Sequence, residues 1–157
     1  MIIESTQKKY RKLSKTQKKL AFTTIDFYVD KIMPRMAKSL SVKILGDNLL
    51  ESREGIHGDC DYIDCENRYP REFHIRVYTG LSRRDFIATI IHEMTHVKQY
   101  ARGELRDLTT KINLCYWKGK RIDRLKVDYD KHPWEIEACK YQYLYADEII
   151  KNISQFS

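Results

Sequence analysis

The chain has 157 residues, 42% of them hydrophobic and 32% charged, with a net charge of +7. That length buries one core without disulfide staples, and the composition is that of a globular protein, not a collagenous, fibrous or disordered one. No stretch approaches the roughly 18 apolar residues of a membrane helix, and MIIESTQKKYRK turns polar too early for an export signal; the expectation is a cytoplasmic protein with no membrane partner.

Residues 1–20 hold Lys8, Lys9, Arg11, Lys12, Lys15, Lys18 and Lys19 against Glu4 alone, so this segment carries +6 and the rest of the chain only +1. Such an end attracts nucleic acid or an anionic surface, and a weak nucleic-acid contact is one partner reading. The plainer reading is a solvated helix face or a mobile tail, because no aromatic stacking pattern accompanies the charge.

Apolar residues near helical spacing (Leu20, Ile25, Tyr28, Ile32, Met36) predict a helix over residues 16–37, with Pro34 kinking or ending it. Residues 41–45 read as a short strand, followed by turn chemistry at Gly46-Asp47-Asn48. Residues 51–69 read as an irregular loop or a poor hairpin. Cys60 and Cys65 lie there, and with Cys115 and Cys139 they miss the spacing of a zinc finger or ribbon. Reduced structural thiols are expected. Residues 72–79 alternate most cleanly and predict the best strand. From Ser82, with Asp85 three residues on, a helix is expected through Arg102, with Gly103 as its C-cap. An irregular middle follows, with a turn or small hairpin at residues 116–121. Pro133 suits the first turn of a final helix reaching about Ile150. The whole predicts one α+β domain with a basic N-terminal segment.

The helix expected from Ser82 to Arg102 carries the chemistry. His92-Glu93-Met94-Thr95-His96 places two imidazoles four residues apart, on one face and one turn from each other, so both reach a single ion. Zinc accepts neutral imidazole nitrogen and, in catalytic sites, keeps a position for water. Glu93 stands where its carboxylate can take a proton from that water. A surface helix with two unrelated histidines is the bland alternative, and the apolar neighbours Ile90, Ile91 and Val97 speak against it. One zinc ion is the expected cofactor. A third ligand must come from elsewhere. The extended three-histidine pattern would need glycine and histidine where this chain has Gln99 and Arg102, so a later acid is required. Glu135 and Glu137 are the two offered at the start of the final helix, where acids are also favourable for electrostatic reasons alone.

HEMTH with a downstream E-x-E-A resembles the gluzincin zinc metallopeptidases, in particular the small minigluzincins, and HEMTHVKQY and HPWEIEA are similar to zincin-like proteins of phages and bacteria. The resemblance spans roughly residues 73–145. It implies a zincin-like α+β domain with a small mixed sheet, an HExxH helix and a C-terminal helix bearing the glutamate ligand. It further implies a zinc endopeptidase acting on a protein or peptide through a zinc-bound water activated by Glu93. The family's E-x-x-A pattern makes Glu135 the third ligand, with Glu137 as competitor and His132 as a distant one. Cys139 stands where the fuller pattern has aspartate, so the acid supporting the ligands is sought among Asp107, Asp128 and Asp130. The strand bordering the cleft would be residues 73–79. Tyr129, His132, Tyr141, Tyr143 and Tyr145 qualify chemically as donors to an oxyanion, although helix-spaced tyrosines favour the core. A catalytically silent zincin-like binding module and a nucleic-acid-associated protein remain the rival classes.

Overall fold

The computed structural model describes residues 2–5, 12–108 and 110–155. The fold is α+β. Strands β1 (Ile2–Ser5), β2 (Ser41–Asp47), β3 (Gly58–Tyr62) and β4 (Glu72–Tyr78) form a mixed sheet in the order β1-β2-β4-β3, with β3 antiparallel to β4 and the other pairs parallel. Helices α1 (Lys15–Ile32), α3 (Arg83–Ala101) and α4 (Pro133–Gln155) are long, and α2 (Leu50–Glu54) is a short link. A second, antiparallel sheet joins β5 (Leu105–Asp107), β6 (Leu114–Trp117) and β7 (Lys120–Asp123). No helix among the described residues is long and apolar enough to cross a membrane.

Alternation in the central strands decides where the core lies. Val42 and Ile44 on β2 and Phe73, Ile75 and Val77 on β4 point to one face and are fully buried against Ile25, Val29, Ile87, Ile90, Ile91 and Met94 of α1 and α3. Helix α3 starts at Ser82, whose hydroxyl accepts from the Asp85 N–H at 3.2 Å, and ends before Gly103, whose φ of 71° suits glycine at that position. It is buried on most sides, sandwiched between the sheet, α1 and α4.

Several expectations change. The first strand is hidden in the sequence: Ile2–Ser5 pairs with Ser41–Ile44, 39 positions away in register, a long-range partner that no local pattern announces. Of the basic segment, Lys15, Lys18 and Lys19 lie on the first turns of α1, while Lys8, Lys9 and Arg11 lie outside the described residues. Residues 51–69, expected as an irregular loop or a poor hairpin, contain most of α2 and the strand β3, which pairs antiparallel with β4. The irregular middle contains a three-stranded sheet. Its hairpin turns through Lys118 and Gly119, both at positive φ, as the tight turn between right-twisted strands requires.

The strand nearest the HExxH helix is β3, not β4. Central β4 is paired on both sides, by β2 and by β3, whereas β3 has β4 as its only strand partner among the described residues. Gly58 lets β3 approach α3: a Cβ there would stand 2.7 Å from the Thr89 methyl and 3.1 Å from the Arg76 carbonyl oxygen. On the other face of the sheet Arg76 holds the strand and the preceding rim, donating to Asp59 at 2.9 Å and Glu54 at 2.8 Å. Gly58→Ala is expected to cost about 1–3 kcal/mol in urea unfolding. Adding Thr89→Ser, which removes the opposing methyl, should recover part of that loss. An unchanged midpoint in the single variant would contradict the close approach.

Candidate metal centre

The docking of α4 across α3 brings the chemistry together. Pro133 opens α4 and Glu135 lies in its first turn, with the carboxylate turned toward α3. One oxygen lies 3.0 Å from His92 Nε2 and the other 3.3 Å from His96 Nε2. The ligating atoms of the three side chains all lie within 4.8 Å of one another. Donors about 2.1 Å from one ion at tetrahedral angles stand roughly 3.4 Å apart, so the spacing suits a small cation. Two imidazoles and one carboxylate are also a donor set suited to zinc. The residues fit the ion.

Glu137 is elsewhere. Its carboxylate pairs with Lys98 and accepts from Gln99 Nε2 at 3.1 Å. Two residues apart on a helix means nearly opposite faces, so only one of the two acids meets the histidines. His132 is also elsewhere: it is buried, and its Nε2 donates to the carbonyl oxygens of Val127 and Arg124 at 3.0 and 3.2 Å while its ring stacks on Trp134.

The groups supporting the histidines are amides, not the expected aspartates. Gln99 Nε2 donates to the Trp134 carbonyl at 2.9 Å and to Glu137. Both partners are pure acceptors, which fixes the amide's orientation and turns its oxygen toward His96 Nδ1, 2.9 Å away. His96 therefore carries its proton on Nδ1 and directs Nε2 at the cluster. Gln142 does the same for His92, its Oε1 standing 2.8 Å from Nδ1. Cys139 lies 4.0 Å from the same nitrogen and leaves the shorter bond to Gln142. Asp107 is taken by the Tyr62 hydroxyl and by Arg124, and Asp128 pairs with Lys131. Asp130 is exposed at the adjoining turn. Gln142 was nonetheless legible, because residues 135, 139 and 142 recur on one helical face.

Electrostatics follow from burial. Without a cation, desolvation opposes the His96 imidazolium, but the Glu135 hydrogen bond and the charge of Glu93 win and lift it to about 8. Burial likewise opposes the Glu135 carboxylate, and hydrogen bonds from His92 and His96 overcome this and hold it far below the usual range. Glu93 is different: burial pushes it up to about 7, despite the nearby histidines, and its carboxylate has no hydrogen-bond partner among the described residues.

His92 and Glu93 open onto a cavity of 360 Å³ bounded by the Gly55–Gly58 rim and by Thr89, Tyr129 and Gln142. Tyr129 stands over Glu135. The residue is 68% exposed, but partial desolvation on its cavity side and the Glu135 carboxylate push its phenol well above the ordinary value, so it stays a hydroxyl. Tyr141 and Tyr145 stack on each other at 5.4 Å beside Phe27 and belong to the core. A larger, apolar groove of 480 Å³ near Leu20, Leu81 and Phe86 holds none of these donors.

Because Gln99 sets the tautomer of His96, Gln99→Ala is expected to weaken zinc binding by about 10–100-fold in a competition titration. An unchanged dissociation constant would mean the amide only packs. Compared with known proteins, the chain matches no family model, no curated protein and no solved structure.

Proposed function

We propose that this chain is a zinc-dependent endopeptidase of zincin-like architecture, with His92, His96 and Glu135 as the metal ligands and Glu93 as the general base. The observation carrying this reading is the convergence of the three donors beside a cavity that His92 lines together with a buried Glu93, which has no hydrogen-bond partner among the described residues. A structural ion-pair cluster has no use for such an acid, and burying it costs stability.

Zinc held there would supply a Lewis acid for the scissile carbonyl and lower the pKa of a bound water. The remaining work falls to the chain. Glu93, held near neutrality by its apolar surroundings, takes the proton of the attacking water and passes it to the departing amine. Tyr129 faces the cavity as a hydroxyl and donates to the oxygen on which negative charge develops. The free edge of β3 offers backbone donors and acceptors to an extended peptide, which binds as an added strand. Gln99 and Gln142 keep both histidines in the tautomer that leaves Nε2 for the metal.

A second reading has a specific observation behind it. Glu135, bridging two imidazoles, satisfies itself as an ion pair with protonated His96. The two readings separate on metal removal. The metalloprotein should lose thermal stability on treatment with a chelator and regain it with zinc, since a ligand bound only to the folded state stabilises it. An ion-pair cluster should melt unchanged.

Purified protein is expected to carry about one zinc per chain. Glu93→Gln should keep the metal and abolish peptide cleavage. Tyr129→Phe should lower kcat by about 100–1000-fold with little change in KM. Undiminished cleavage by Glu93→Gln would contradict its assignment as the base.

A further inference from the structure

The cavity beside the cluster continues away from it. Along its wall α3 presents Glu93 and His92, then Thr89 and Ala88, then Asp85. Seven residues separate His92 from Asp85, which is two helical turns or roughly 10 Å. From α4, Gln142 faces the near end and Tyr143 the far end. The Tyr143 hydroxyl donates to Asp85 Oδ1 at 2.9 Å and fixes the carboxylate at the head of the cavity.

The charge of this wall opposes that of the protein. The chain carries +7 overall, yet among the described residues bounding the cavity there are two carboxylates, Asp85 and Glu93, and no lysine or arginine. The nearest cation in the sequence, Arg84, does not bound the cavity: its guanidinium binds Asp147 at 2.8 and 3.1 Å and lies 4.4 Å over the Tyr143 ring, from where its charge helps to hold Asp85 ionised. His57, on the rim, leans on Glu51 at 3.7 Å and stacks on Tyr78, and its charged form favours the ionised Asp85. Thr89, Ala88 and Ile56 leave a channel suited to an aliphatic stem, with an anion at its end.

Resting on the endopeptidase reading above, we propose that this cavity is the pocket for a lysine or arginine side chain flanking the scissile bond, with Asp85 as its charge partner. A long stem starting at the metal spans the Thr89–Ala88 wall and delivers its cation to the Asp85 carboxylate. Short side chains do not reach that carboxylate, and acidic ones are repelled by it. Glu93 at the other end is occupied with the water, so the two acids have separate duties.

The test uses fluorogenic peptides identical except for the residue beside the cleaved bond: lysine, arginine, leucine or glutamate. Zinc-loaded wild-type protein should show kcat/KM at least about tenfold higher for the basic peptides than for the leucine peptide, the size of one charge-assisted contact. Asp85→Asn should erase that difference, Asp85→Glu should keep most of it, and Asp85→Lys should turn the preference toward glutamate. Binding gives a readout without turnover: labelled copies of the same peptides should bind the Glu93→Gln variant in the same order. Equal rates for leucine and lysine peptides would overturn the basic-residue pocket, and a preference surviving in Asp85→Asn would overturn the Asp85 assignment; both outcomes leave the endopeptidase reading standing. Failure of the wild-type protein to cleave any of the peptides would overturn the endopeptidase reading and this pocket with it.

Discussion

The crossing of α3 and α4 is held by a carboxylate shared between two imidazoles. Glu135 reaches His92 and His96 at 3.0 and 3.3 Å from the opposite helix, and everything functional is arranged around that bridge. Removing one partner of such a buried group would strand the others at a cost of several kcal/mol. The surroundings therefore satisfy each remaining polar atom. Gln99 serves His96, the Trp134 carbonyl and Glu137 together, and Lys98 closes the chain of bonds on Glu137. The result is a polar seam through an otherwise apolar interface of Ile90, Ile91, Met94, Ala138 and Ala146. Glu93 is the exception. It is buried, turned to the cavity and without a hydrogen-bond partner among the described residues, which is the feature the proposed function rests on.

Local features of this arrangement are legible in the sequence. The spacing of His92 and His96 is a property of one helix, and so are the Ser82 start and the Gly103 stop that place the motif in its middle. Pro133 marks the beginning of α4 for the same reason. The choice between Glu135 and Glu137 is not local. It depends on which face of α4 meets α3, a matter settled by packing of residues far apart in the chain. The supporting groups differ from the expected aspartates because that expectation came from a resembled pattern whose aspartate position is Cys139 here. Asp107 in fact ties Tyr62 of the large sheet to Arg124 beyond the small one, while two neutral glutamines do the orienting.

The strands show the same division. Alternation identifies β4, and such a strand takes the central position because both of its edges are paired. The strand bordering the cleft, Gly58–Tyr62, has two aspartates and a glycine and reads poorly as a strand. Charged residues suit an edge strand, which must avoid pairing indiscriminately with other chains. Gly58 reads as a breaker for a related reason, since the close approach to Thr89 that requires it is a tertiary contact. The contrast between a basic chain and an acid-lined cavity was equally hidden. It arises from two residues of α3 and the diversion of Arg84 toward Asp147.

In the proposed site one zinc ion would sit between His92, His96 and Glu135. Zinc K-edge X-ray absorption on the zinc-loaded protein measures its coordination directly. The expected spectrum has two imidazoles and oxygen ligands at about 2.0–2.1 Å, with the imidazole scattering reduced in His96→Ala. A shell of sulfur at about 2.3 Å, or a spectrum indifferent to that substitution, would place the metal on the cysteines or elsewhere and contradict the site.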